Sequence, residues 1–299
     1  MRKSDENVGC IDDAPQTMRK FLAALMCFAF LLAPSGFAAE KELERTGGPY
    51  VPTPKIVVEH MLLMGKVGAN DFVVDLGSGD GVIVLTAAHE HKARGFGVDI
   101  DPALVAKSNA EAKRLGIADR ASFAVQDVFK ADLSKATVIT LYLLPSMMLD
   151  LRDKIFMEAR PGTRIVSHDY NFDDWQADDF IELDVPEKEP ISGSPTAVIH
   201  LWLVPAKVSG RWQVQLERGG RYDLDLRQEY QVLSGNASAP GASVKLASGR
   251  LRGEEIQFTL NDGGARREFK GTVTGDGMSG TAEMGRGKPV RWTAKRVPG

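Results

Sequence analysis

What most restricts the fold of this chain is a change of hydrophobic period that repeats from Asp71 onward. Short runs of Val, Ile and Leu alternate with stretches whose apolar residues recur at helical spacing. DFVVDLG, GFGVDI, ASFAVQDV, TVITLYLL and TRIVSHDY read as strands, and GVIVLTAAHEHKA, PALVAKSNAEAKRLG and PSMMLDLRDKIFMEA as helices. Strands this uniformly apolar are covered on both faces, and strand–helix alternation joins neighbouring strands in parallel. The expectation is an α/β, Rossmann-like, doubly wound and mostly parallel seven-stranded sheet. A leading helix over Lys55 to Lys66 precedes it, and TAVIHLWLVPA supplies a late strand suited to an edge.

Around Ser209 the texture changes. Helical periodicity stops, and period-two alternation takes over in RWQVQLE, RYDLDLRQEY, SVKLASGRL, EEIQFTL, REFKGTVT, GMSGTAEM and VRWTAKR. Turn signals such as Asp276-Gly277 separate these runs, which predicts an antiparallel barrel or sandwich of seven or eight strands. Trp212 and Trp292, on its first and last strands, are expected to close its core.

The N-terminus reads differently again. Met18-Arg19-Lys20 precedes an unbroken apolar run from Phe21 to Ala33, followed by small residues around Ala38. Basic start, short apolar stretch and small-residue exit describe a secretory signal, too short for a comfortable membrane span. The expected organisation is therefore 1–39 leader and signal, 40–207 α/β domain, and 208–299 β domain. Export to the periplasm follows, with an uncleaved anchor as the alternative and no other membrane contact. Cys10 and Cys27 are the only cysteines, so the part after the signal has neither a disulfide framework nor a thiol nucleophile.

Chemistry concentrates at Asp75-Leu76-Gly77-Ser78-Gly79-Asp80-Gly81, where a strand turns into a helix. Glycines there permit a tight bend and let a ligand approach bare backbone, and the new helix offers unpaired N–H groups. A phosphate-cradling loop would need Gly-Lys-Ser/Thr, which is missing, and a dinucleotide fingerprint would need glycine where Val82 stands. Asp99 ends the second strand twenty-four residues after Asp75, near the interval of about 20 at which an acid meets ribose hydroxyls. Asp127 ends the third. Any one of these acids alone reads equally well as a cap of the following turn; together they line one edge of a parallel sheet. Asp101 before Pro102 reads as a helix N-cap.

The acidic–x–Gly–x–Gly–x–Gly turn resembles motif I of the class I S-adenosylmethionine (AdoMet)-dependent methyltransferases. Tyr50-Val51-Pro52-Thr53-Pro54 and Leu143-Leu144-Pro145-Ser146-Met147-Met148 narrow the likeness to one group. That group is the lysine N-methyltransferases whose eukaryotic members modify the c subunit of ATP synthase, together with bacterial relatives. The resemblance covers about residues 49–205 and not the β domain. It implies AdoMet as cofactor, held by Asp75, Gly77, Ser78, Gly79, Asp80, Gly81, Asp99, Ile100, Asp127 and Val128. Asp75 would face the methionine amino group and Asp127 the adenine amino group. Tyr50, Tyr142, Pro145, Ser146 and Asp169 are candidates for the acceptor side, where His168-Asp169 would help remove a proton. Tyr142 reads alternatively as core and His168 as a hydrogen-bonded structural residue.

The methyl acceptor is expected to be a nucleophile, with a protein lysine amine favoured by the resemblance alone. The secretion signal replaces the membrane-targeting region of the eukaryotic members, so their substrate does not carry over. A net charge of −3, no basic tract and no Asn/Asp-Pro-Pro-Tyr motif argue against a nucleic-acid partner. His89 and His91 stand two apart on a helix and cannot share a face, so no metal site is read. The rival reading is an exported, non-catalytic binding protein built on the same fold.

Overall fold

The computed structural model describes residues 48–298 apart from 219 and 286, so the leader and signal segment lies outside the described residues. Helix α1 (Lys55–Met64) buries Val57, Val58, Met61 and Leu62, a stripe one turn apart that seats it on the sheet. It is followed by β1 (Phe72–Leu76), α2 (Val82–Glu90), β2 (Arg94–Asp99), α3 (Pro102–Arg114) and β3 (Ala121–Val125). The second half comprises β4 (Val138–Leu141), α4 (Pro145–Glu158), β5 (Arg164–His168), β6 (Asp179–Asp184), the short α5 (Glu189–Ser192) and β7 (Thr196–Leu203).

The seven strands form one sheet in the order β3-β2-β1-β4-β5-β7-β6. The first five pair in parallel, and β7 runs antiparallel between β5 and β6. Chain direction across the sheet reverses between β1 and β4, the place where open α/β sheets leave a crevice for a ligand. Neighbouring residues Val73 and Val74, Val138 and Ile139, and Ile165 and Val166 are all buried, one of each pair on either face. Their two cores are completed by α4 on one side and by α1 and α2 on the other. Below the strands, Thr137 donates to Asp71 Oδ1 at 2.7 Å and accepts from Phe72 N at 2.9 Å, and Arg164 pairs with Asp71.

The edge differs from expectation. β7 is an inner strand, and the edge belongs to β6, whose sequence Asp-Phe-Ile-Glu-Leu-Asp hides a strand behind acidic residues. A short, charged edge resists pairing with another chain, which explains the composition.

After Leu203 the chain enters a closed eight-stranded antiparallel barrel, in the order β10-β11-β12-β13-β14-β15-β8-β9. Its strands are β8 (Gly210–Leu216), β9 (Arg221–Glu229), β10 (Val232–Ala239), β11 (Ala242–Arg252), β12 (Glu255–Asp262), β13 (Ala265–Thr274), β14 (Gly277–Met284) and β15 (Val290–Arg296). Alternation delivers Trp212, Val214 and Leu216 from β8 and Tyr222, Leu224 and Leu226 from β9 to the interior. Phe258, Phe269 and Trp292 fill the middle, with ring centroids 4.5–5.7 Å apart. The barrel is thus packed with its own side chains. Among the described residues, no helix is long and apolar enough to cross a membrane.

Candidate active site

The chain leaves β1 and bends through Gly77, Gly79 and Gly81 at φ values of 81°, 53° and 81°. Only glycine adopts this left-handed backbone freely. Space gives a second reason. A Cβ on Gly79 would stand 2.5 Å from Tyr50 Cε2, and one on Gly77 would stand 2.6 Å from Leu143 Cδ2. The bend is pinned to the end of β2: Gly77 N and Ser78 N both donate to Val98 O at 2.9 Å. Gly79 N donates to Asp99 Oδ2 at 2.8 Å, and Ser108 Oγ donates to Gly79 O at 3.2 Å. Ser78 Oγ is buried and has no hydrogen-bond partner.

Asp75 stands close enough to Asp99 and Asp80 to feel both charges. Asp75 is buried and accepts from Thr140 Oγ1 at 2.7 Å. Burial, then the charges of Asp99 and Asp80, push its carboxyl up to about 7 despite that hydrogen bond. Asp99 also accepts from Asp101 N through Oδ1, and Ile100 lies half-buried between them. Asp80 pairs with Lys107 at 3.3 Å. Asp127 caps a single turn after β3, accepting from Phe129 N at 2.9 Å, with Val128 buried behind it. The capping role read for lone acids is therefore real here, and it leaves the half-buried carboxylate at the sheet edge. Asp101 caps α3 as expected, accepting from Ala103 N at 2.9 Å, with Pro102 in the first turn.

Tyr50 lies across Gly79. Its hydroxyl is driven above its ordinary range by burial, then by the charge of Asp80 and a hydrogen bond to it. On the other side of the switch point, Tyr142 follows β4 and packs against His168 with ring centroids 4.0 Å apart and planes tilted by 32°. Burial and the charge of Asp169 raise the Tyr142 hydroxyl to about 12. Pro145 and Ser146 open α4 and are exposed.

Asp169 has φ +65°, unusual for a residue with a side chain. The conformation is over-determined: Asp169 N donates to Val198 O at 2.6 Å, and Val198 N donates to Asp169 Oδ1 at 3.2 Å. Lys188, only 4% exposed, reaches Asp169 Oδ2 at 2.6 Å and donates to Thr196 O at 2.5 Å. His168 is buried, and neither ring nitrogen makes a hydrogen bond, unlike the hydrogen-bonded residue its sequence context suggests. Burial lowers it to about 4 against the pull of Asp169, so its ring is neutral at pH 7.

Sequence reasoning did not single out Thr140 or Lys188. Thr140 had a signal, being the one polar residue inside an apolar strand. Lys188 had none, because Pro-Glu-Lys-Glu-Pro reads as exposed loop.

These features test the fit of AdoMet. Three bare glycines, a buried serine hydroxyl without a partner and a rim of carboxylates suit a ligand with a cationic amino-acid end and a ribose. Fold, bend and rim define a class I AdoMet-dependent methyltransferase. The profile of the ANTKMT methyltransferase domain matches residues 75–179. A protein-lysine N-methyltransferase of Saccharolobus islandicus is 39% identical over 46% of this chain and 85% of its own length. The adenine nucleotide translocase lysine N-methyltransferase of Mus musculus is 33% identical over 58% of this chain and 73% of its own. The ATP synthase c-subunit lysine N-methyltransferase of Xenopus laevis is 33% identical, and this chain spans 57% of its length. An RNA methyltransferase of Salinibacter ruber, solved with S-adenosyl-L-homocysteine, is 44% identical over 53% of this chain and 96% of its own, with a TM-score of 0.48. The chain belongs to the ANTKMT family of AdoMet-dependent methyltransferases.

Proposed function

We propose that this methyltransferase acts on the side-chain amine of a protein lysine. The observation that carries the reading is the kinship with lysine N-methyltransferases, of which the archaeal relative is 85% covered. The acceptor side agrees with it. The hydroxyls of Tyr50 and Tyr142 and the carboxylates of Asp80 and Asp169 can accept hydrogen bonds from an ammonium or amine.

In this reading the absence of side chains at Gly77, Gly79 and Gly81 lets the cofactor lie close against the bend, and Asp75 takes its ammonium. Asp99 takes the ribose hydroxyls, Asp127 the adenine amino group, and Ile100 and Val128 flank the base. AdoMet, when bound, supplies a methyl already activated on sulfonium, so the protein's task is alignment and exclusion of water. A lysine reaches the site as an ammonium and must lose a proton before it can attack. Half-burial beside Tyr142 favours its neutral form. Asp169, fixed by Lys188 and Val198, is placed to receive the proton. Pro145 and Ser146, exposed at the start of α4, border the acceptor's approach.

Incubation of the purified protein with methyl-labelled AdoMet and extract protein tests the reading. Label should be recovered as methyl-lysine, and Asp99→Ala should abolish it together with AdoMet binding. Label in RNA and none in protein would overturn the lysine assignment.

We also propose that the chain works outside the cytoplasm, on the strength of the Met18–Ala39 pattern and the absence of cysteine after Cys27. Residues 1–45 fused to a reporter active only after export should light it; a silent, cytoplasmic fusion would reject export.

A further inference from the structure

The barrel grips the segment that carries the acceptor-side residues. That segment joins β5 to β6, opening with Asp169 and Tyr170 and running on through Phe172, Trp175 and Asp178. Phe172 and Trp175 are fully buried and stack with centroids 5.5 Å apart. Trp202 of β7 backs them, donating Nε1 to Trp175 O at 2.7 Å. One wall of this aromatic socket comes from outside the α/β layer.

The wall is the tip of the β9–β10 hairpin. Tyr230 lies flat on Trp175, centroids 5.1 Å apart and planes 4° from parallel, and meets Phe156 edge-on at 5.3 Å. Arg152 sits 5.5 Å over the same ring, and the Tyr230 hydroxyl donates to Asp153 Oδ1 at 3.1 Å. Tyr230 holds φ +48°, a conformation that a non-glycine residue keeps only where its surroundings enforce it. Gln231, almost fully buried, donates Nε2 to Gln176 O at 2.7 Å. A second strut runs from Arg250 of β11 to Asp178 Oδ1 at 3.3 Å, while Asp178 Oδ2 accepts from Leu203 N.

The side-chain hydrogen bonds of Tyr230 and Gln231 run to Asp153 and Gln176, and the rings that Tyr230 meets are Phe156 and Trp175, all away from β1, β2 and β3, which carry the cofactor bend and Asp99. We infer that the β domain is a positioning element for methyl transfer: Tyr230 and Gln231 hold the 169–178 segment, and with it Asp169 and Tyr170, in the geometry the acceptor requires. The inference rests on the assignment of Asp169 to the acceptor side.

The test compares Tyr230→Ala, Tyr230→Phe and Gln231→Ala in the full chain. Three quantities are measured: AdoMet affinity by calorimetry, hydrogen exchange across 169–178, and labelled methyl transfer to extract protein. For Tyr230→Ala, losing a stacked aromatic wall should speed exchange about tenfold and slow transfer by a similar factor. Its AdoMet affinity should stay within about twofold of the parent's, because the cofactor side is not contacted. Tyr230→Phe keeps the stack and should restore transfer. Gln231→Ala removes one hydrogen bond and should speed exchange about threefold, which keeps the idea testable should Tyr230→Ala fail to fold. Unchanged exchange in Tyr230→Ala, or loosened exchange with intact transfer, overturns the inference and leaves the lysine reading standing. Loss of AdoMet affinity in step with transfer also overturns it, since that is general destabilisation. Loosened exchange in Tyr230→Ala, with a parent that binds AdoMet yet labels no lysine, upholds the grip and rejects the lysine reading instead.

Discussion

Asp75 occupies a place where an ionised carboxylate is costly, and replacing it should make the protein sturdier as it makes it useless. The side chain is 2% exposed, with a hydrogen bond from Thr140 set against burial and the charges of Asp99 and Asp80. The folded protein therefore holds this proton more tightly than the unfolded chain does. Stability falls as pH climbs from the ordinary 3.8 to about 7 and stays low above that. At about 1.4 kcal/mol per tenfold change in proton affinity, the cost at pH 8 is on the order of 4 kcal/mol, an upper bound. Asparagine has the same shape, still accepts from Thr140, and carries no charge. Asp75→Asn should melt higher than the parent at pH 8 by about 4–8 °C, taking about 2 °C per kcal/mol for a protein of this size. The gap should narrow steadily below pH 7 and close only near pH 3.8, where the unfolded chain's carboxyl is protonated as well. AdoMet affinity should drop at least about tenfold, the loss of one charged contact. Thermal unfolding without cofactor, followed from pH 4.5 to 8.5, reads the effect. A variant less stable than the parent by the same amount at every pH would refute the reasoning.

Gly79→Ala forces a side chain into φ +53° and against Tyr50, and should cost about 1–3 kcal/mol while weakening AdoMet binding more than tenfold. Calorimetry showing undiminished affinity would contradict the bare-backbone account of the bend. Trp292→Ala empties the middle of the barrel and should cost about 3–5 kcal/mol in denaturant unfolding. A loss below about 1 kcal/mol would mean that this ring is not central to the core.

The parallel strands were legible because they are short, mostly apolar runs that alternate with helical stretches, and the bend because three glycines recur at the end of one of them. The barrel was legible as alternation, though β10 was not: Val-Leu-Ser-Gly-Asn-Ala-Ser-Ala carries too little bulk to announce a strand. β6 escaped because aspartate and glutamate are strand-poor residues used here to guard an edge. The positions of Asp75, Asp99 and Asp127 at strand ends followed from the pattern, whereas the raised proton affinity of Asp75 did not. It depends on neighbours that only the fold brings together. Lys188 was out of reach for a different reason, since a lysine flanked by glutamates and prolines gives no hint of burial. The socket around Trp175 needed partners from residues 156, 202 and 230, separations that local periodicity does not encode.

Closure of the barrel has a consequence for how the molecule is made. Trp292 pairs with Leu216, so the first stave waits for the last before the ring can shut. The sheet has all its strands by Leu203 and needs nothing from later residues to pair them. Assembly is thus staged, and the final clasp arrives only when the youngest strand does.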